Sequence, residues 1–404
     1  MINKKNKWSP ADKIQDLQFF GEYGGVNPSI ADSSTFTYLS GKTMGDVFEG
    51  TREGCYLYSR HTNPSTSYLS KAIAEMEGMK GAIISSSGMA SITNTILQIC
   101  NYNDEIISSR TIYGGTYAFF KNYLPKFRIN TKFVDITNIK QIENNISNKT
   151  KAIYCETISN PLLEVSDISR IAKIAKKNNL KLIVDNTFTP LIFSPAKLGA
   201  DIVIHSLTKF INGSSDTVGG VVCSDENFIE DMIDVNCGSA MLLGPVMDSF
   251  KAASILKNMR TLHIRMKKHS ENAYYLSKKL TSRGVKVIYP GLESHPNHKI
   301  MSQTHNKEFG YGGIFVIDTK TESNANKLME KMQKTNLGYL AVSLGFYKTL
   351  FSAPGLSTSS EIPENERSVM GLSNGLVRIS IGLDNNIERT YDSICICLQE
   401  IGIL

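Results

Sequence analysis

The sequence lacks several features that would each define a class of protein. Its seven cysteines are odd in number, scattered and without a Cys-x-x-Cys pair, which argues against both a disulfide framework and a zinc cage. No apolar run approaches the ~18 residues that a membrane-spanning helix needs. Lysine and arginine exceed aspartate and glutamate by only 44 − 38 = 6, with no dense basic block, so nucleic acid is not predicted as a partner.

A secretory leader is not indicated either. Residues 1–7 are basic, but the polar segment Trp8-Ser9-Pro10-Ala11-Asp12-Lys13 follows where a signal peptide would carry its apolar core. We therefore expect a cytoplasmic protein. At roughly 150 residues per domain, the 404 residues predict two to three domains with a sizeable buried core.

Between about residues 80 and 223, short β-branched runs alternate with segments of helical periodicity. The predicted strands are 81–84, 104–108, 131–134, 151–155, 181–185, 201–205 and 218–222. This alternation predicts an α/β fold with a mostly parallel sheet covered by helices on both faces. Ligands of such sheets bind beyond the carboxyl ends of the strands, so the residues just after each strand are the first candidates for a site.

The periodicity also predicts particular helices and a second unit. Residues 168–177 form a helix that we expect Ser166 to cap, and residues 247–280 form one long helix. A smaller α/β unit follows, with strands at 285–288, 313–317 and 376–380 and a closing helix over 387–404. The first 60 residues have turn signals and little periodicity, which suggests an arm ordered by another surface.

Lys209 follows the predicted strand 201–205, with the hydroxyls of Ser206 and Thr208 just before it. A lysine at a strand end in apolar surroundings can have a lowered pKa and form a Schiff base as a nucleophilic amine. A lysine that merely reaches from a strand edge into solvent is the commoner arrangement. The residues that accompany Lys209 therefore decide between the two interpretations.

Two further segments carry matching chemistry. Asp185 ends an apolar strand, where an unpaired carboxylate is costly and a protonated pyridine nitrogen, as in pyridoxal phosphate, would be a suitable partner. The segment Ser85-Ser86-Ser87-Gly88-Met89-Ala90 lies between a strand and a helix, where backbone N–H groups can cradle a phosphate. Taken alone, each segment has a simpler explanation: Asp185 could cap a turn, and the Ser/Gly segment could be an ordinary loop.

In this order, the phosphate loop, Asp185 and Ser-x-Thr-Lys resemble the Cys/Met-metabolism family of pyridoxal-phosphate enzymes, of the cystathionine γ-synthase and methionine γ-lyase type. Five other segments agree with its motifs: Tyr58-Ser59-Arg60-His61-Thr62-Asn63-Pro64, Tyr113-Gly114-Gly115-Thr116, Glu156-Thr157-Ile158-Ser159-Asn160-Pro161, Ser343-Leu344-Gly345 and Val377-Arg378-Ile379-Ser380-Ile381-Gly382. The motifs run from residue 58 to 382, so the resemblance covers nearly the whole chain.

The resemblance implies a fold-type I transferase architecture with a seven-stranded, mostly parallel central sheet. It implies an N-terminal arm over 1–60 that reaches a neighbouring subunit, a cofactor-binding domain over 61–256 and a C-terminal domain over 257–404. The implied assembly is a homo-oligomer, a dimer of dimers. Its partner is a small amino-acid substrate, with neither a membrane nor a nucleic acid involved.

The resemblance also implies a role for each site residue. Lys209 would bind pyridoxal phosphate and move protons among the substrate carbons, Asp185 would keep the pyridine nitrogen protonated, and Tyr113 would stack on the ring as a second acid/base. The phosphate would be bound by Gly88, Met89, Ser206 and Thr208, with Tyr58 and Arg60 from the neighbouring subunit. The substrate carboxylate would be bound by Asn160, Ser343 and Arg378.

The residue before the Ser-Leu-Gly turn bears on the substrate. Members of the family that act on cystathionine typically carry a glutamate there, whereas this chain has Val342, which favours an uncharged substrate tail. The segments 343–350 and 357–363 are similar to a plant-type methionine γ-lyase, and Gly115 replaces the cysteine of many bacterial ones. We therefore predict γ-elimination of methionine to methanethiol, ammonia and 2-oxobutanoate.

Two alternatives stay open at this point. The first is γ-replacement on O-acetylhomoserine or O-succinylhomoserine, as in an O-acetylhomoserine sulfhydrylase or a cystathionine γ-synthase. The second is a binding or regulatory protein without activity, against which the intact Lys209, Asp185 and Tyr113 count heavily. His295 and His298 have no third ligand near in sequence, so we predict a polar loop there and no metal site.

Overall fold

The computed structural model describes residues 8–49, 52, 54–357 and 362–404, so part of the segment 357–363 quoted above lies outside the described residues. The chain forms an α/β fold with two sheets, as predicted. The large sheet contains β1 (Gly81–Ser85), β2 (Glu105–Ser109), β3 (Asn130–Val134), β4 (Thr150–Glu156), β5 (Lys181–Asp185), β6 (Ile202–Ser206) and β7 (Gly220–Ser224). The small sheet contains β8 (Val287–Ile288), β9 (Ile314–Asp318), β10 (Gly338–Leu340), β11 (Thr349–Ser352) and β12 (Leu376–Ser380).

The large sheet has the order β1-β7-β6-β5-β4-β2-β3. The strands from β6 through β5, β4 and β2 to β3 are parallel, and β7 pairs antiparallel with both β6 and β1. The carboxyl ends of β4, β5 and β6 therefore meet at one edge. Glu156 lies opposite Asp185 there, because the register pairs the last residues of β4 and β5.

Helices cover both faces of the large sheet. In the N-terminal half they are α1 (Pro10–Gln15), α2 (Gly41–Phe48), α3 (Pro64–Glu77), α4 (Gly88–Ile99), α5 (Gly114–Ala118), α6 (Ile139–Asn145) and α7 (Ile168–Lys177). Later come α8 (Glu226–Ile233), α9 (Ser239–Leu243), α10 (Ser249–Met259), α11 (Leu262–Ser282), α12 (His298–Thr304), α13 (Glu322–Lys334), α14 (Glu364–Met370) and α15 (Ile387–Glu400). One core lies between the sheet and α3, α7 and α10, and another lies between the sheet and α4, α5 and α8.

Two helix predictions are wrong in detail. Asp167, not Ser166, caps α7, because its carboxylate accepts a hydrogen bond from Arg170 N at 3.1 Å. Ser166 Oγ instead donates to the carbonyl of Glu156 at 2.7 Å. The predicted helix over 247–280 is two helices, α10 and α11, because the chain leaves helical geometry at Thr261.

The second unit has two strands that the sequence did not indicate. Strands β10 and β11 are only three and four residues long, too short for their periodicity to stand out. His298 begins α12, where its Nδ1 contacts the carbonyl of Pro290 at 2.9 Å and its Nε2 contacts Ser302 Oγ at 3.1 Å. Over the described ranges, we find no helix with the length and apolarity to cross a membrane.

The first 60 residues are less regular than the rest of the chain. The helix α1 packs the apolar side chains of Ala11 and Ile14 against the core beneath the large sheet. The following segment leaves Tyr23 98% and Leu39 103% exposed. Fully exposed aromatic and leucine side chains in one segment are typical of a surface that another molecule covers.

Candidate active site

A cavity of about 290 Å³ opens at the carboxyl ends of β4, β5 and β6. This is the edge at which an α/β sheet is expected to bind its ligand. The cavity draws together most of the predicted site residues from both sheets, namely Gly88, Met89, Tyr113, Asn160, Asp185, Ser206, Thr208, Lys209, Val342 and Arg378.

Lys209 lies in the turn after β6, and its Nζ donates to Ser343 Oγ at 3.1 Å. Burial and, to a smaller extent, the nearby Arg378 together lower the pKa of Lys209 to about 8. An amine with this pKa is partly unprotonated near neutral pH, so it can act as a nucleophile or a base. Ser343 lies between β10 and β11 of the small sheet, so residues associated with both sheets meet at the amine.

Asp185 ends β5 and is buried at the floor of the cavity. Its oxygens accept hydrogen bonds from Thr187 N at 2.9 Å and from Tyr154 Oη at 3.3 Å. Burial raises the pKa of Asp185 above its ordinary value, although these hydrogen bonds and His205 lower it. Both hydrogen-bond donors are uncharged, so a cationic ring nitrogen would be a strongly stabilising partner for this carboxylate.

The predicted phosphate loop begins α4. Ser87 caps the helix, since its Oγ accepts a hydrogen bond from Ala90 N at 3.0 Å, and Gly88 and Met89 begin the first turn. A Cβ at Gly88 would lie 2.8 Å from Ser206 Cβ, so glycine allows the loop to approach the end of β6. Gly88 and Met89 of this helix start line the cavity together with Ser206, an arrangement suited to a phosphate.

Thr208 and Ser206 are held by their own hydrogen bonds. Thr208 Oγ1 accepts from Gly219 N at 3.0 Å, and Ser206 N donates to Thr187 Oγ1 at 2.8 Å. Thr187 thus links β5 to β6 by contacting both Ser206 and Asp185. Thr187 was not among the predicted site residues, and its position two residues after the strand-end aspartate is the signal that could have found it.

Arg378 from β12 is 2% exposed and reaches the cavity from the small domain. Its guanidinium donates to Asn160 Oδ1 at 2.8 Å and to the carbonyl of Ser343 at 3.3 Å. Burial lowers the pKa of Arg378 to about 10, which leaves it charged at neutral pH. A buried guanidinium that faces a cavity and has an amide beside it is suited to a carboxylate ligand.

Glu156 is the main residue to which the sequence analysis assigned no role. It ends β4, and its two oxygens accept hydrogen bonds from Tyr113 N at 2.8 Å and Asn160 N at 2.7 Å. The pKa of Glu156 is raised to about 8, because burial and the neighbouring Asp185 outweigh the two backbone N–H groups and Arg378, which lower it. One carboxyl group therefore connects the loops that carry two predicted site residues.

Tyr113 immediately precedes α5, lines the cavity and is 41% exposed. A Cβ at Gly115 would lie 2.6 Å from Tyr113 Cε1. The tyrosine ring thus occupies the space that any larger side chain at position 115 would need. Glycine at 115 and the position of the ring are therefore linked.

Tyr58 and Arg60 do not line this cavity. Arg60 Nη1 donates to the carbonyl of Met241 at 2.8 Å, and the guanidinium lies 5.8 Å from the centre of the Tyr58 ring. Tyr58 is 43% exposed. Their contribution to a neighbouring subunit's site stays a prediction.

The donor set of the cavity fits pyridoxal phosphate. A helix start and a serine hydroxyl suit the phosphate, a buried carboxylate suits the pyridine nitrogen, and a partly unprotonated lysine suits the aldehyde. These groups come from the ends of three neighbouring elements, α4, β5 and β6. The cofactor does not require the guanidinium of Arg378, which is therefore available to bind the carboxylate of an amino acid.

Comparison with known proteins agrees with this chemistry. The family described as "Cys/Met metabolism PLP-dependent enzyme" matches residues 14–392. The chain is 43% identical to a methionine γ-lyase of Arabidopsis thaliana, over 95% of this chain and 88% of that protein. It is 36% identical to an L-methionine γ-lyase of Fusobacterium nucleatum, over 90% of this chain and 91% of that protein.

Solved structures match over nearly the full length. A Campylobacter jejuni chain described as an O-acetylhomoserine (thiol)-lyase, which contains a pyridoxyl-lysine phosphate, superposes with a TM-score of 0.90 at 26% identity and covers 97% of this chain and 100% of its own. The cystathionine γ-synthase of Xanthomonas oryzae superposes with a TM-score of 0.87 at 28% identity and covers 98% of this chain and 99% of its own. The match thus extends over both domains.

Proposed function

Because the chain belongs to the Cys/Met-metabolism family of PLP-dependent enzymes, we propose that it is a carbon–sulfur lyase that eliminates the γ-substituent of L-methionine. The reaction consumes methionine and one water and releases methanethiol, ammonia and 2-oxobutanoate. The methionine γ-lyases among its relatives support this choice.

The observation that carries the proposal is the lack of a free anion for a charged substrate tail. Glu156 and Asp185 are the carboxylates among the described residues that line the cavity, and both accept hydrogen bonds at both oxygens. The rest of the lining is largely apolar, with Val342, Leu344 and Phe188 among its members. Such a wall suits a thioether or an ester and disfavours the distal ammonium of cystathionine.

Gly88, Met89, Ser206 and Thr208 would bind the phosphate of pyridoxal phosphate, Asp185 its ring nitrogen and Lys209 its aldehyde. When bound, the cofactor supplies an electron sink for the bonds that break at the substrate carbons. Asp185 would keep the ring nitrogen protonated, since a buried carboxylate beside it would favour the charged form.

Asn160, Ser343 and Arg378 bind the substrate carboxylate, and this contact fixes the position of the α-carbon relative to Lys209. Lys209 Nζ would take the α-proton of the substrate and return protons to the β- and γ-carbons. Its lowered pKa suits both directions of transfer. Tyr113, which lines the cavity, acts as the second acid/base for the departing thiol.

A second candidate is γ-replacement on O-acetylhomoserine or O-succinylhomoserine. The structural match to an O-acetylhomoserine (thiol)-lyase favours it, and the uncharged wall at Val342 suits an ester equally well. The two reactions diverge only after the γ-substituent has left, according to whether a thiol or water is taken up.

The proposal includes the assembly and its location. The protein works in the cytoplasm as a dimer of dimers, with residues 1–60 as an arm, 61–256 as the cofactor domain and 257–404 as the C-terminal domain. The arm places Tyr58 and Arg60 on the phosphate in a neighbouring subunit. The exposed Tyr23 and Leu39 of the arm support such a contact.

The test is a comparison of kcat/KM for methionine, cystathionine and O-acetylhomoserine with and without a thiol. We expect methionine to be converted without any thiol, and cystathionine to be the poorest substrate. Preference for cystathionine would refute the argument from the uncharged wall. Turnover of O-acetylhomoserine only with a thiol, and none of methionine, would establish the second candidate instead.

A further inference from the structure

The turn that follows Lys209 is held by a side chain from outside the cavity. The turn closes on itself through backbone hydrogen bonds that include Gly213 N to the carbonyl of Lys209 at 2.8 Å. The next two carbonyls, those of Phe210 and Ile211, both accept from the guanidinium of Arg265, the second at 2.9 Å. Arg265 therefore satisfies the backbone acceptors immediately after the reactive lysine.

Arg265 is itself fixed in place. It lies in the first turn of α11, where its Nη2 also donates to the carbonyl of Asn258 at 3.0 Å and its Nε donates to Thr261 Oγ1 at 3.2 Å. Burial lowers its pKa to about 10, and no carboxylate among the described residues pairs with it. A cation buried without a counter-ion is costly. Each donating nitrogen instead has an oxygen acceptor, at the break between α10 and α11.

The turn also lies close to Gly345, in the connection between β10 and β11 of the small sheet. Gly345 has a φ of +77°, and a Cβ there would lie 2.6 Å from Phe210 N and 3.0 Å from the carbonyl carbon of Lys209. Gly213 has a φ of +72°, and a Cβ there would lie 2.4 Å from Arg265 Nη1. The peptide that joins Lys209 to Phe210 thus lies against Gly345, and the next two carbonyls accept from the guanidinium of Arg265.

We propose that Arg265 is a positioning residue for Lys209, which keeps the Lys209 turn, and with it Nζ, at a fixed distance from the reacting carbon. The inference rests on the role given to Lys209 in the proposed function. The effect would be largest when Lys209 Nζ is free to move protons, because the turn and Ser343 would then hold the amine in place. A misplacement of about 1 Å at a reacting group can cost about 100-fold in rate.

A lysine could not replace Arg265 fully. The planar guanidinium reaches the carbonyls of Phe210, Ile211 and Asn258 at once, whereas an ammonium offers its protons from a single atom. Arg265→Lys should therefore restore part of what Arg265→Met loses. An intermediate rate for Arg265→Lys would show that the hydrogen bonds of Arg265 matter and not only the volume of its side chain.

The test uses the holoenzyme and L-alanine, which has no γ-substituent to lose. Exchange of its α-proton with deuterated water, followed by NMR, reports proton transfer by Lys209 whatever the γ-chemistry is. We expect Arg265→Met to slow exchange at saturating alanine about 10- to 100-fold, with KM and bound cofactor per chain within about two-fold of wild type. Arg265→Lys should be intermediate. Arg260→Met, at the same helix break, should not differ from wild type, since Arg260 contacts Asn27 rather than the turn.

The outcomes are distinct. Wild-type exchange in a folded, cofactor-loaded Arg265→Met protein would overturn the proposal. It would also be overturned if Arg265→Lys lost as much exchange as Arg265→Met and both losses merely matched a loss of bound cofactor. If Arg265→Met does not fold, Arg265→Lys decides the question: exchange slower than wild type at full cofactor loading supports the proposal, and an unchanged rate overturns it. A wild-type protein that exchanges alanine but does not cleave methionine contradicts the proposed function only.

Discussion

Glu156→Gln tests whether one buried carboxyl group positions two functional loops. Glu156 binds Tyr113 N at 2.8 Å and Asn160 N at 2.7 Å through separate oxygens. Glutamine keeps one oxygen, so one of these N–H groups must face an amide NH₂. A buried donor left without an acceptor costs about 1–3 kcal/mol.

At about 1.4 kcal/mol per tenfold change, that cost predicts a fall of about 5- to 150-fold in kcat/KM. If the hydrogen bond to Tyr113 N is the one lost, kcat falls. If the hydrogen bond to Asn160 N is the one lost, KM rises, because the substrate carboxylate is held less firmly. Steady-state assays of 2-oxobutanoate release measure both. Glu164→Gln is the matched control, because Glu164 is part-buried, accepts from Thr111 Oγ1 at 2.6 Å and does not line the cavity.

The same variant should change the pH dependence of stability. The folded-state pKa of Glu156, raised to about 8 from an ordinary value of 4.5, means that the native state holds this proton more tightly than the unfolded state. The contribution of Glu156 to the free energy of unfolding is therefore complete below about pH 4.5 and is lost as the pH rises to about 8. We expect the melting temperature of Glu156→Gln to decline less over this range than that of wild type. Unchanged kcat, KM and slope would together refute the role given to Glu156.

Four further changes have defined expectations. Lys209→Ala should abolish both the yellow absorbance of the lysine-bound cofactor and turnover; an unchanged spectrum would remove the central assignment. Verified hybrids of inactive Arg60→Ala and Lys209→Ala chains should regain activity if Arg60 acts in a neighbouring subunit, and no recovery would count against shared sites. Val342 is 60% exposed, so Val342→Glu should raise the ratio of kcat/KM for cystathionine to kcat/KM for methionine by about five-fold, or about 1 kcal/mol. Val342→Gln should leave this ratio unchanged. Equal losses for both substrates in Val342→Glu would show that Val342 does not face the substrate tail. Gly115→Ala should lower kcat several-fold, because its Cβ would meet the Tyr113 ring at 2.6 Å; unaltered kcat would show that the ring position is not critical.

The strands of the large sheet could be predicted because each is a short, buried β-branched run between turn signals. The predicted 181–185 coincides with β5, and the others differ by one or two residues. The break between α10 and α11 could not be predicted, because apolar residues continue across it at Met259 and Leu262. The break depends on Asn258, whose carbonyl accepts from Thr261 Oγ1 and Arg265 Nη2, contacts made only in the folded chain.

The site was accessible to sequence reasoning where a residue type and a strand end coincide, as for Asp185 and Lys209. Glu156 occupies an equivalent strand end, but the resemblance attached no role to it, and its two backbone partners lie on separate loops. Arg265 had no local signal at all. Its importance follows from the distant turn that it contacts, 55 positions earlier in the sequence for Phe210.

The most direct test of the central claim is incubation of the purified holoenzyme with L-methionine alone. The account predicts 2-oxobutanoate, ammonia and methanethiol in equal amounts, with no added thiol, and none of them from Lys209→Ala. Absence of 2-oxobutanoate from a cofactor-loaded protein that does convert O-acetylhomoserine with a thiol would contradict the claim and assign the chain to γ-replacement.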